Sequence, residues 1–203
     1  MTPLQVASVF ALLSAPIMAN RGWYRGRNAF RPVMWDGRFI FLGGYMDLTF
    51  QTQEGIFNYR VCAIILHDNA ILTTKNDRTP YYFLPGGRVR LHETAQEAIE
   101  RELQEELGIQ ATILRPLWLN QGFFTEDVTK ARFHELCIYY LIDISQTDLL
   151  SRGERFLRTE GDKRYLYEWI PLDRLQEEYL YPLFIKDKIH DLPEEFTILA
   201  EYE

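Results

Sequence analysis

The chain has 203 residues, 47% of them hydrophobic, which is enough for one sizeable core and makes a single main domain the expectation. A formal net charge of −7 argues against nonspecific nucleic-acid binding. No apolar run reaches the ~20 residues that a membrane span needs.

The charge is unevenly placed. Residues 1–45 hold five arginines (21, 25, 27, 31 and 38) against Asp36, a net +4, so residues 46–203 carry −11. The opening stretch MTPLQVASVFALLSAPIMAN is apolar but lacks the positive start of a secretory signal, and export is not expected. Residues 1–45 are expected to lie outside the catalytic domain, which would then be 46–203. Three readings stand for them: an appended extension, ordered or disordered; residues upstream of a true start at Met46; or an arm whose Trp23, Tyr24, Phe30 and Trp35 dock on the domain or a partner, since so many exposed aromatics are costly.

From residue 58 the pattern is regular. NYRVCAIILHDN (58–69) and AILTTKN (70–76) read as a hairpin turned at Asp68-Asn69. YYFLP (81–85) reads as a short strand ended by proline, and Pro85-Gly86-Gly87 as a loop that lets backbone approach a ligand. Residues 109–124 and 131–144 read as two longer strands, 145–164 as a polar, charged loop, and 165–171 as a further strand. PLDRLQEEYL and PLFIKDKIHDL look helical. Cys62 and Cys137, both in strand-like runs, read as free buried thiols suited to a reducing cytosol. The four histidines, at 67, 92, 134 and 190, form no ligand spacing. Strands and helices mix without strict alternation, so a mixed sheet with helices on its faces is expected.

The segment GGRVRLHETAQEAIERELQEELGI carries the chemistry. Thr94 followed by Glu97 is a capping-box pattern and Gly108 a helix stop, which predicts a helix over about 95–107. Advancing ~100° per residue, Ile99, Leu103 and Leu107 make a core face. Glu102, Glu105 and Glu106 fall together on the arc beside it, shared only with Ala95 and Ala98. Such a patch is unfavourable. A like-charge i,i+4 pair costs about 0.2–0.5 kcal/mol, and each anion near a helix C-terminus opposes the macrodipole by about 0.3–1 kcal/mol. A solvated acidic face is one reading. A hard divalent cation is the other, because Mg²⁺ and Mn²⁺ prefer carboxylate oxygens. Arg88 and Arg90, just past the glycines, could meet phosphate charge.

Gly87, Glu93, Arg101-Glu102-Leu103, Glu105-Glu106 and Gly108-Ile109 stand at the spacing of a complete Nudix box, residues 87–109, and the chain resembles the Nudix (MutT-like) hydrolases. The resemblance extends through the flanking strands over about 56–203. It implies an α/β fold, an α/β/α sandwich with a mixed β-sheet and a catalytic loop–helix–loop. It implies metal-dependent hydrolysis of a nucleoside diphosphate linked to another moiety: a nucleotide sugar, an ADP-ribose-like compound or a dinucleoside polyphosphate. Carried over, Glu102, Glu105, Glu106 and the Gly86 carbonyl would hold Mg²⁺ or Mn²⁺, and Glu102 or a loop glutamate would handle the attacking water. Arg101 and Glu93 would brace the loop–helix–loop.

Outside the box, Glu160 is a candidate base or ligand and Phe123 or Phe124 could stack a base. Asn120 lies nearby, and Glu135 faces either cleft or solvent. A house-cleaning pyrophosphohydrolase of altered nucleoside triphosphates is an alternative, and a catalytically silent nucleotide-binding module is another of a different class. The expected setting is cytoplasmic, with a nucleotide-type small molecule as partner and a homodimer as one assembly left open.

Overall fold

The computed structural model describes residues 45–203, with the side chain of Glu160 excepted, and the backbone of two strands before them. The chain divides into a first unit, Met1–Gly44, and a second, Tyr45–Glu203. In the first, β1 (Arg31–Trp35) and β2 (Arg38–Leu42) form an antiparallel hairpin. The aromatic side chains and the rest of residues 1–44 that the sequence singled out lie outside the described residues.

The second unit is built on one mixed sheet. Its strands are β3 (Thr49–Gln51), β4 (Ile56–His67), β5 (Ala70–Asn76), β6 (Gly86–Arg88), β7 (Thr112–Thr125), β8 (Arg132–Asp143), β9 (Arg155–Glu160), β10 (Lys163–Pro171) and β11 (Thr197–Tyr202). They run in the order β11-β7-β8-β4-β5-β10-β9, with β3 and β6 also pairing β4. The β4·β8 and β11·β7 pairs are parallel and the others antiparallel. The second half of β4 is buried on both faces, which explains its apolar run Val61–Ile65. Val61, Ala63 and Ile65 point to one core, shared with Ile99, Leu103 and Leu107 of the helical segment. Cys62 and Ile64 point to the other, closed by Leu175, Leu180, Phe184 and Ile185. The helix α1 (Ala95–Glu102) thus covers one face and the short α2 (Ile185–Lys188) the other, as a mixed-sheet α/β sandwich requires.

Several elements differ from the sequence expectation. The helix stops being α at Glu102 and continues as a π turn over Leu103–Leu107. Gly108 then caps it in the left-handed region at φ 68°, its N–H donating to Gln104 O, while Ile109 N–H reaches back to Leu103 O. The diglycine is not a free loop: Gly86 and Gly87 pair with Cys62 and Val61 as strand β6. YYFLP makes only single bridges, Phe83 to Thr74 and Tyr82 to Leu180. The stretch read as the loop 145–164 holds a 3₁₀ turn, Leu149–Arg152, and the edge strand β9. PLDRLQEEYL is not a helix beyond the 3₁₀ turn Leu172–Arg174, because the backbone of 179–181 bonds to Tyr82, N–H to Tyr179 O at 2.7 Å and Tyr181 N–H to Tyr82 O at 3.0 Å. Cys62 and Cys137 are both buried, their sulfurs 3.5 Å apart.

Candidate active site

The N-terminus of α1 is fixed as the sequence demands. Thr94 Oγ1 accepts from Glu97 N–H and the Glu97 carboxylate accepts from Thr94 N–H at 2.8 Å, a reciprocal capping box. The other end meets a different problem, since its free carbonyls lie beside carboxylates. Two arginines supply the missing positive charge: Arg152 Nη1 donates to Leu107 O at 2.5 Å and Arg158 Nε to Glu106 O at 3.2 Å. Both come from the segment that reads as a loop in the sequence.

The three box glutamates differ in environment. Glu106 is 8% exposed and its Oε2 accepts from Gly86 N–H at 3.0 Å. The Glu102 carboxylate is largely covered and accepts from Arg101 Nη1 at 2.5 Å. Burial pushes its pKa up, against the opposing pull of Arg101. Glu105 stays open to solvent and is met by Arg90 Nη2 at 3.2 Å. Glu102 lies so close over the second glycine that a Cβ on Gly87 would stand 2.3 Å from its carboxylate. Glu102 and Glu106 therefore converge on Gly86-Gly87, with Glu105 one residue away.

Arg101 and Glu93 tie the parts together. Arg101 Nε donates to Glu93 Oε1 at 2.7 Å and Nη2 donates to both Glu93 Oε2 and Arg88 O at 2.9 Å. Glu93 also accepts from Arg90 N–H at 2.9 Å. The hydrogen bonds from Arg101 chiefly hold the Glu93 carboxyl below its ordinary range. One guanidinium thus joins strand β6, the following loop and α1.

The sheet beside this cluster carries two polar groups that the sequence reading passed over, Asn58 and Arg60. They alternate on β4 and point to the same face as Glu135 of β8 and Arg88 of β6, which the sequence reading names. Asn58 is buried, its Oδ1 accepting from Arg88 Nε at 3.2 Å and its Nδ2 donating to Glu135 Oε2 at 3.3 Å. Arg60 Nη2 reaches Gly86 O at 3.5 Å. The signal was available: an asparagine and an arginine at i and i+2 interrupt an otherwise apolar strand.

Register also separates the two phenylalanines. Phe124 pairs with Phe133 and stacks on it at 5.1 Å, on the face of Glu135 and Asn58. Phe123 points to the opposite face, stacked between His134 and Tyr202 at 4.4 and 4.9 Å. It lines a cleft of about 440 Å³ with Phe50, Phe57 and Arg132. Asn120 is buried on the Phe124 face with its Oδ1 unpartnered. Glu160 closes β9, and its side chain lies outside the described residues.

As the side chains stand, no three His, Cys, Asp or Glu among the described residues form a metal-holding group. The carboxylates are turned instead to Arg101, Arg90 and the Gly86 amide. The donor set itself is all oxygen, which suits a hard divalent cation. No helix among the described residues is long and apolar enough to cross a membrane.

The ADP-ribose pyrophosphatase of Methanocaldococcus jannaschii is 33% identical over 87 residues, 41% of this chain, and the chain spans about half (49%) of that protein. The 8-oxo-dGTP diphosphatase of Buchnera aphidicola is 31% identical over 137 residues, 65% of this chain and 90% of its own. A solved ADP-ribose pyrophosphatase of Streptococcus suis aligns with 71% of this chain and 98% of its own at 15% identity and a TM-score of 0.46. The family model of the NUDIX domain matches residues 57–189, a span that contains the whole box, and the chain belongs to the Nudix hydrolase family.

Proposed function

We propose that the second unit hydrolyses a pyrophosphate bond in a nucleoside diphosphate linked to a further moiety, with Mg²⁺ or Mn²⁺ as cofactor. The observation that carries the reading is the convergence of the Glu102 and Glu106 carboxylates on Gly86-Gly87, with Glu105 beside them. Like charges gathered at a helix C-terminus repel; the neighbouring arginines offset part of that repulsion, and a bound divalent cation would offset the rest. Glu102, Glu105, Glu106 and the Gly86 carbonyl would hold it. A divalent cation bound there supplies charge neutralisation for the diphosphate and lowers the pKa of an attacking water.

The chain's own groups do the rest. Glu102, whose pKa burial raises, is suited to accept the proton of that water at the oxygen that Arg101 leaves free. Arg101 and Glu93 fix the distance between strand β6 and α1, so that the carboxylates and the glycine carbonyl keep one geometry. Arg90, against Glu105, stands as a further substrate contact. Of the two phenylalanines, Phe124 is the base-stacking candidate, since it shares a face with the polar groups that lead to Gly86.

Of the two relatives described above, one is an ADP-ribose pyrophosphatase and the other an 8-oxo-dGTP diphosphatase, and the second is matched over most of its length. House-cleaning of altered nucleoside triphosphates is therefore the second reading. A product screen with Mg²⁺ and Mn²⁺ decides between them, using ADP-ribose, dinucleoside polyphosphates, nucleotide sugars and normal and oxidised dNTPs. Turnover of a linked nucleoside diphosphate supports the first reading and preference for an oxidised dNTP the second. No turnover of any compound overturns both and leaves the silent nucleotide-binding module.

A further inference from the structure

Arg60 and Arg88 are directly opposite each other in the antiparallel β4·β6 pair and point to one face of the sheet. Like charges in that position are destabilising. Neither is closely neutralised. Arg60 Nη1 lies 3.9 Å from Glu135 Oε2, and Arg88 Nη1 lies 4.0 Å from Asp47 Oδ2. Neither side chain is fully buried, at 27% and 39% exposed.

Their positions are built. Asn58, 4% exposed, accepts from Arg88 Nε and from Thr49 Oγ1 at 2.7 Å, and donates to the Glu135 carboxylate that stands by Arg60. A buried amide thus holds one arginine and orients the anion that holds the other. Arg60 in turn reaches the carbonyl of Gly86, the first residue of the diglycine. Two forked cations side by side, tethered at the edge of a carboxylate cluster, suit an anion with several oxygens on adjacent phosphorus atoms.

The geometry points to Arg60 and Arg88 as a clamp for the pyrophosphoryl group, Arg60 being a substrate-binding residue that the box does not contain. This rests on the hydrolase reading above and adds to it the group that grips the diphosphate on the side away from the glutamates. The cross-strand repulsion is relieved when the anion is bound, as the glutamate repulsion is relieved by a cation.

The test is calorimetric titration of inorganic pyrophosphate into the full chain, in Mg²⁺ and again in EDTA, for wild type, Arg60→Gln, Arg60→Lys, Arg88→Gln and the control Arg78→Gln. Arg78 is an exposed arginine paired with Asp162 on another part of the surface. In Mg²⁺ the wild type is expected to bind, Arg60→Gln and Arg88→Gln each at least tenfold more weakly, Arg60→Lys in between, and Arg78→Gln unchanged. The binding should also weaken steeply with salt. Thermal melts of each variant, with and without Mg²⁺, separate lost binding from lost fold. If Arg60→Gln does not fold, Arg60→Lys and Arg88→Gln carry the test. Binding by Arg60→Gln and Arg88→Gln within twofold of wild type, an equal loss in Arg78→Gln, or no binding by wild type overturns the clamp. The two readings fail separately. Metal-dependent turnover with unchanged KM in Arg60→Gln removes the clamp alone, whereas arginine-dependent binding without turnover of any nucleotide removes the hydrolase reading alone.

Discussion

Gly87→Ala is a sharp probe of the site. The added Cβ would stand 2.3 Å from the Glu102 carboxyl carbon and from Oε1, where 3.4 Å is ordinary contact, so the carboxylate must retreat by about 1 Å. The atoms met are the far end of a flexible side chain, and Gly87 is not among the glycines with positive φ. The fold therefore gives way cheaply, and the loss of stability is expected to stay below about 1 kcal/mol. A displacement of about 1 Å in a group that acts on the water costs on the order of 10²-fold in rate. Neighbouring Gly86 provides the contrast. Its φ is 141° and a Cβ would stand 2.2 Å from Val61 O, so Gly86→Ala should damage the fold itself. The assay pairs a thermal melt with kcat on whichever nucleotide the screen identifies. Gly87→Ala with wild-type kcat and metal dependence would refute the placement of Glu102 in the chemistry.

Other outcomes follow from the same geometry. Glu105→Gln should lower kcat by orders of magnitude, with the metal-free melting temperature unchanged or raised because Glu105 is 42% exposed and one of three like charges. Glu93→Gln should cost about 1–3 kcal/mol of stability, since it weakens the part-buried, charge-assisted bonds to Arg101, and should affect kcat less. Equal stability of Glu93→Gln and wild type in urea would remove its bracing role. In the β7–β8 turn the Glu126 carboxylate accepts from Val128 N–H, Thr129 N–H, the Thr129 hydroxyl and Tyr81 OH. Burial opposes them, yet these bonds bring its pKa from 4.5 down to about 2. Because the folded value is depressed, the stability it contributes is present above about 4.5 and lost as pH falls toward about 2. With allowance for its partial exposure this is worth about 1–2 kcal/mol, and Glu126→Gln should flatten that part of the pH–stability curve. A curve of unchanged shape would contradict it. Residues 46–203 expressed alone are expected to be soluble and to show the full chain's activity; an insoluble or inactive fragment would place the first unit within the working domain.

The parts legible in the sequence are those fixed by local spacing. The capping box, the Gly108 stop and the apolar stripe of Ile99, Leu103 and Leu107 all lie within fourteen residues or so of one another, and each acts through its near neighbours. The π turn is not legible in local spacing, and the Arg158 side chain of β9 that donates to Glu106 O within it arrives from fifty-two residues away. β9 itself is an edge strand, and charge on an edge strand guards against unwanted pairing while making the strand look like loop. PLDRLQEEYL has helix-forming residues, yet its buried Leu175 and Leu180 and the bridge to Tyr82 hold it in turns, a tertiary override of propensity. Arg60 is visible as an oddity in an apolar strand, but its partnership with Arg88 exists only through the register of β4 against β6. The same dependence on register separates Phe124 from Phe123.

The central claim is that the three box glutamates and the diglycine hold the divalent cation that hydrolysis needs. It is tested most directly by titrating Mn²⁺ into the full chain, following bound metal by electron paramagnetic resonance, and measuring turnover on the same samples. The account predicts saturable Mn²⁺ binding by wild type, loss of at least tenfold in affinity in Glu105→Gln and Glu106→Gln, and abolition of turnover by EDTA in parallel with loss of the signal. Unchanged Mn²⁺ affinity in both variants, or turnover that survives complete chelation, would contradict it.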